Sequence, residues 1–138
     1  MDLGCGIGGG DFYMAEEYGA VVHAIDLSVN MVSIALERAV LRPKEAQVSF
    51  DICDATMVEF PASSFDVIYT RDTLLHIVDK PRLFRNCWRW LRPGGQVLIS
   101  DYCCGEGVAS EEFKAYVAQR QYDLRTISEE AWFVHNMQ

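Results

Sequence analysis

The segment Asp2-Leu3-Gly4-Cys5-Gly6-Ile7-Gly8-Gly9-Gly10 constrains this chain more than any other. Glycine is needed where backbone must turn left-handed or approach another group without a Cβ in the way. A glycine-rich stretch after a short apolar strand candidate and ahead of a helical pattern reads as the first loop of a βαβ unit. Gly4, Gly6 and Gly9 fit G-x-G-x-x-G, and Gly4, Gly6 and Gly8 fit G-x-G-x-G. A tight turn that binds nothing is the alternative to both.

Downstream, strand and helix patterns alternate, which predicts a parallel sheet covered by helices. Helices are expected over Phe12 to Tyr18, Val29 to Leu41, from Pro81 onward, Ser110 to Tyr122 and Ser128 to Met137. Ser28 is placed to cap the second, with Val32, Ala35, Leu36, Ala39 and Val40 on one apolar face and Arg42-Pro43 stopping it. In the third, Leu83, Phe84, Cys87, Trp88 and Leu91 share a face. Strands are expected over Val21 to Asp26, Gln47 to Cys53, Phe65 to Thr70 and Gln96 to Tyr102, with a turn at Pro93-Gly94-Gly95.

The 138 residues, half of them apolar, suffice for one domain with a real core, residues 1–138. Only Met1-Asp2-Leu3 precede the loop, in what should be a central strand, so a fragment of a longer chain is expected. Twelve Lys+Arg against 20 Asp+Glu give a net charge of −8, which argues against nucleic acid and against an anionic membrane surface. No apolar run approaches the roughly 20 residues of a membrane span, and the N-terminus reads as neither signal nor transit peptide. The five cysteines are odd in number and show no Cys-x-x-Cys spacing, and Cys103 and Cys104 are adjacent. They predict a reduced, cytoplasmic chain without structural zinc, each thiol a small buried hydrophobe.

Three acids sharpen the ligand. Asp2, just before the first glycine, would sit beside a cationic methionyl group and would repel a pyrophosphate. Asp26, 22 residues after Gly4, is where a carboxylate accepts both ribose hydroxyls, in either cofactor class. Asp54 closes the third strand, where it can accept an adenine amino group. Isolated acids at strand ends are ordinarily solvated or capping, but three in register with a glycine loop favour S-adenosylmethionine. A nicotinamide dinucleotide is the weaker alternative.

Asp2-Leu3-Gly4-Cys5-Gly6, Phe65-Asp66-Val67-Ile68 and Leu91-Arg92-Pro93-Gly94-Gly95 resemble motifs of class I S-adenosylmethionine-dependent methyltransferases. More narrowly, five stretches resemble the phosphoethanolamine N-methyltransferase family: residues 2–16, 25–31, 70–77, 99–103 and 113–122. The resemblance implies a Rossmann-like three-layer α/β sandwich with a mostly parallel sheet, here truncated at both ends. It implies methyl transfer to the amine of phosphoethanolamine or its mono- or dimethyl derivative, on the route to phosphocholine. It places Asp2, Gly4, Gly6, Asp26, Leu27, Asp54, Ala55 and Arg71 at the cofactor. Asp72, Tyr102, Tyr116, Arg120 and Tyr122 fall at the substrate, with His76 and Asp72 catalytic.

The chemistry suits those residue types. A phosphate dianion wants a fixed Arg and hydroxyl donors, and Tyr116 and Arg120, at i and i+4, project from one helix face. An amphipathic helix with an exposed Arg and half-buried tyrosines is the bland alternative. The ammonium must lose a proton before its lone pair attacks; Asp72 can hold it, and a histidine four residues on can accept the proton. No metal is required, and positioning carries most of an in-line displacement. In the family, residues ahead of the first strand fold over the cofactor and supply a tyrosine partner for the histidine. A lysine beyond the present C-terminus binds phosphate there. Without both, the other reading is a catalytically inactive fragment or isoform that binds cofactor or a partner chain. His23 and His135 have no such context.

Overall fold

The computed structural model describes residues 1–42 and 47–136. The expected stop at Pro43 and helix end at Met137 lie outside them. Five strands, β1 (Asp2–Leu3), β2 (Val22–Asp26), β3 (Val48–Ile52), β4 (Phe65–Arg71) and β5 (Leu91–Ser100), form one all-parallel sheet in the order β3-β2-β1-β4-β5. Helices α1 (Gly9–Tyr18), α2 (Val29–Ala39) and α3 (Lys80–Trp90) join consecutive strands, and α4 (Glu111–Arg120) and α5 (Ile127–Asn136) follow β5. A single 3₁₀ turn, Leu74–His76, lies between β4 and α3. The parallel sheet covered by helices is what the alternating pattern predicts, and its Rossmann-like form is what the resemblance implies.

β1 is only two residues long, yet it is the axis of the sheet. Asp2 and Leu3 pair with Ala24 and Ile25 on one side and with Tyr69 and Thr70 on the other. The chain runs outward from β1 to β3, then returns to β4 on the opposite side. That reversal puts the crevice of an open α/β sheet at the carboxyl ends of β1 and β4.

Alternation along the strands sorts side chains between two faces. Leu3, Ile25 and Ile68 pack with Leu83, Phe84, Cys87 and Trp90 of α3, the larger core. Val22 and Ala24 pack with Ala15 of α1, flanked by Phe50. Ser28, Asp79 and Ser110 cap α2, α3 and α4 by accepting the N–H of Met31, Arg82 and Phe113.

Several boundaries differ from expectation. α1 begins at Gly9 rather than Phe12, because Gly8, with φ 78°, turns the chain directly into the helix. α2 ends at Ala39, and only Val32 and Ala35 of its apolar stripe are buried, so Leu36 and Val40 face outward. α4 stops at Arg120 because Gln121 is left-handed, leaving Tyr122 beyond the helix. Pro93-Gly94-Gly95 is an excursion within β5 rather than a turn ahead of it. Leu91 already pairs with Phe65 and Gln96 with Val67, and β5 ends at Ser100, short of Tyr102.

In α3, Leu83, Phe84 and Cys87 of the expected face are buried, but Trp90 is fully buried in place of Trp88, which is 48% exposed; Leu91, also buried, has left the helix for the strand. Leu83, Cys87 and Trp90 sit at i, i+4 and i+7, the true core stripe. The cysteines also differ, since Cys87 alone is buried and Cys103 is exposed; all five are free. Trp90→Ala should therefore cost about 3–5 kcal/mol and Trp88→Ala under about 0.5 kcal/mol, read from urea unfolding; equal losses would contradict this core.

Candidate active site

The glycine loop leaves β1 at Gly4. Gly4, Gly6 and Gly8 all have positive φ, 80°, 56° and 78°, whereas Gly9 opens α1 with ordinary backbone. The conformational demand therefore follows G-x-G-x-G rather than G-x-G-x-x-G. A Cβ on Gly4 would overlap the side chain of Thr73, so the loop lies directly against the turn that follows β4. A Cβ on Gly6 would meet nothing, which leaves open space over the loop for a ligand.

Asp26 ends β2 and fixes the loop. Its Oδ2 accepts the Gly6 N–H and its Oδ1 the Ser28 N–H, both at 2.8 Å. Sequence reasoning gave Asp26 a ribose role only; the carboxylate also holds the loop to α2. Asp54 Oδ1 accepts the Thr56 N–H at 2.8 Å and its hydroxyl at 2.7 Å. A cleft of about 790 Å³ brings Gly4, Gly6, Asp26, Leu27, Asp54, Ala55, Arg71, Asp72 and His76 together, with Ser28 and Met31 added to the expected set.

Asp2 lines an adjoining hollow of about 570 Å³ that shares Gly4, Gly6, Arg71 and Asp72 with the cleft and adds Tyr69. Its side chain points to the α1 face, where Asp11 of the first helical turn is fully buried. Sequence reasoning missed Asp11. As two carboxylates, neither would find a donor for Asp2 Oδ1 or for either Asp11 oxygen. One proton on the pair would supply a donor between them. Burial first, then the Asp11 charge, pushes the Asp2 carboxyl up to about 8, against weaker pulls from the Met1 ammonium and Arg71. Burial likewise raises Asp11.

Past β4 the chain turns sharply. Asp72 takes a left-handed φ of 54°, unusual for a non-glycine residue, and its N–H donates to Ser100 O at 2.8 Å. Arg71 is 3.9 Å from the Asp72 carboxylate in an exposed pair that contributes little stability. The 3₁₀ turn then presents His76. Its ring meets that of Tyr122 edge to face at 5.2 Å, and Tyr122 meets Tyr116 at 6.2 Å. Asp101 orients the far wall, accepting the Tyr102 N–H at 2.7 Å and the Leu75 N–H at 3.2 Å.

A third hollow, about 430 Å³, gathers Asp72, His76, Tyr102, Tyr116 and Tyr122. Cys103 and Phe113 also line it; both fall in stretches that resemble the family, but neither is assigned a role. Arg120 does not line it. Its guanidinium lies over the Tyr116 ring, 5.7 Å from the ring centre. Asp72 and His76 border both this hollow and the larger cleft.

An all-parallel sheet with a glycine cradle and acids at successive strand ends defines a nucleoside-cofactor fold. The chain belongs to the methyltransferase domain family, whose pattern matches residues 1–99. It is 60% identical to phosphoethanolamine N-methyltransferase 1 of Triticum aestivum over 127 residues, 92% of this chain and 25% of that protein. It is 44% identical over 134 residues to the phosphoethanolamine N-methyltransferase of Plasmodium falciparum, 95% of this chain and 49% of that one. The Haemonchus contortus phosphoethanolamine N-methyltransferase 2, solved with phosphomonomethylethanolamine and S-adenosylhomocysteine, superposes with a TM-score of 0.94 at 45% identity. The match covers 99% of this chain and 32% of that one. The chain thus spans about a quarter of the length of its plant relatives.

The acid pair makes stability pH-dependent. An unfolded aspartate releases its proton near pH 3.9, while folded Asp2 keeps one up to about 8. The folded state binds more protons between those values, so stability falls as pH rises through that window. Asp11→Asn should reduce the fall in Tm between pH 5 and pH 8; an unchanged fall would contradict the shared proton.

Proposed function

We propose that residues 1–138 form the cofactor and acceptor core of an S-adenosylmethionine-dependent N-methyltransferase acting on phosphoethanolamine or its mono- or dimethyl derivative. The observation that carries this reading is the shared wall: Asp72 and His76 stand between the glycine-loop cleft and the tyrosine-lined hollow. Donor and acceptor sites therefore meet at a carboxylate and an imidazole. The likeness to phosphobase methyltransferases supports the assignment of the two sides.

The residues present fit the cofactor. Gly6 leaves room above the loop, Asp26 and Asp54 face the cleft with acceptor capacity beyond their backbone bonds, and Leu27 and Ala55 offer apolar surface for a ring. When bound, S-adenosylmethionine supplies an electrophilic methyl group. Asp2 and Arg71, beside the second hollow, are assigned to the amino-acid end.

On the acceptor side, Asp72 holds the ammonium through a charge-assisted bond. His76 takes its proton, freeing the lone pair for attack. Tyr102, Tyr116 and Tyr122 offer hydroxyls to the phosphate, and Arg120 supplies the positive charge over the Tyr116 ring. Held in place, the two reactants lose the entropic penalty of a bimolecular encounter. A longer or tandem-domain parent fits the 25% coverage of the wheat relative. Cytoplasmic residence fits the five free thiols; among the described residues no helix is long and apolar enough to cross a membrane.

Two substitutions test the division of labour. His76→Ala should lower turnover by about 10²–10⁴ with S-adenosylhomocysteine affinity nearly intact. Asp26→Ala should weaken that affinity tenfold or more, since each charge-assisted bond is worth about 1.5–3 kcal/mol. Methyl transfer to phosphoethanolamine and calorimetry read both. Near-normal turnover in His76→Ala, with loss in Asp72→Ala, would remove the histidine from proton transfer. Cofactor binding without any turnover in the unsubstituted chain would favour a fragment that only binds.

A further inference from the structure

Lys80 is 1% exposed, the first residue of α3. A cation there opposes the helix dipole, so helix formation does not explain it. Its three ammonium hydrogens are all used: Nζ donates to Ile77 O at 2.8 Å, to Asp123 O at 2.7 Å and to Asp123 Oδ2 at 2.9 Å. Arg125 flanks the same carboxylate, donating from Nε and Nη2 at 3.2 Å. The Asp123 N–H in turn donates to Leu75 O at 2.6 Å.

These bonds join two segments distant in sequence. Leu75 and Ile77 bracket His76, and Asp123 follows Tyr122 directly. Between the two anchors lie the His76 and Tyr122 rings, in edge contact. The helix that carries Tyr116 and Arg120, α4, buries none of its residues. Its apolar side chains are only partly covered, Phe113 39% and Tyr116 47% exposed, so the polar tie at its C-terminal end, beside the Cys104 N–H that donates to Arg125 O at 2.9 Å, contributes to its placement.

We propose that Lys80 is a positioning residue for the acceptor site: its buried ion pair with Asp123 fixes the α4–Tyr122 segment against the His76 turn and so sets how the phosphobase is held. The glycine loop, Asp26 and Asp54, which form the other wall of the cofactor cleft, make no contact with this tie and are held by bonds of their own. The inference deepens the proposed phosphobase reading and rests on it for the ligand's chemistry.

The test compares the unsubstituted chain with Lys80→Met and Asp123→Asn, using calorimetry with phosphoethanolamine and with S-adenosylhomocysteine, and backbone hydrogen exchange. Lys80→Met should weaken phosphoethanolamine binding tenfold or more and leave S-adenosylhomocysteine within about twofold. Exchange should quicken in residues 73–77 and 116–125 while β1 and the glycine loop stay protected. Asp123→Asn, which keeps the backbone acceptor and an amide oxygen, should show the same split at smaller size, and stands in if Lys80→Met does not fold. Unchanged phosphoethanolamine affinity, parallel loss of both ligands, or unchanged exchange over 116–125 would overturn the proposal. Failure of the unsubstituted chain to bind phosphoethanolamine would count against the phosphobase reading, and the exchange data would still decide the tie.

Discussion

The contact between Gly4 and Thr73 sets the spacing of the whole site. Gly4 leaves the central strand with φ 80°, and the Thr73 side chain occupies the place its Cβ would take. The loop that cradles one ligand is thereby pressed against the turn that presents Asp72 and His76 to another. A larger residue at position 4 would push these apart and pay a positive-φ penalty as well. In the proposed reading, methyl transfer needs a fixed distance between donor and acceptor, and this close approach would hold it.

Around that contact, polar groups rather than apolar packing fix the working residues. Asp26 ties the loop to α2 through Gly6 and Ser28. Asp101 ties Tyr102 to the His76 turn. Lys80 ties that turn to the segment after α4. The apolar core of Leu3, Ile68, Leu83 and Trp90 lies deeper, beneath the carboxyl ends of the strands. The division keeps the site polar and open while the sheet below it stays rigid.

Much of this was legible in the sequence because glycine and strand-end acids have few alternative explanations. The parallel sheet covered by helices followed from the alternation, and the cleft from Gly4, Gly6, Asp26 and Asp54 in register; the strand order came only with the structure. What escaped has physical reasons. Asp11 looked like an ordinary acid in a helix's first turn, and only the facing of β1 against α1 reveals its pairing with Asp2. Lys80 and Asp123 are 43 residues apart, and nothing local marks either as buried. Pro93-Gly94-Gly95 carries turn chemistry in full, yet the β4–β5 register absorbs it as an excursion. Trp88 and Trp90 flank the edge of one stripe, where periodicity discriminates least.

The central claim is that two ligands meet at Asp72 and His76. A structure of the chain with S-adenosylhomocysteine and phosphoethanolamine together tests it most directly. The account predicts the nucleoside between Gly6, Asp26 and Asp54, the phosphate among Tyr102, Tyr116 and Tyr122, and the amine nitrogen within hydrogen-bond reach of Asp72 and His76. A phosphobase bound away from the tyrosine-lined hollow, or an amine facing away from both residues, would contradict it.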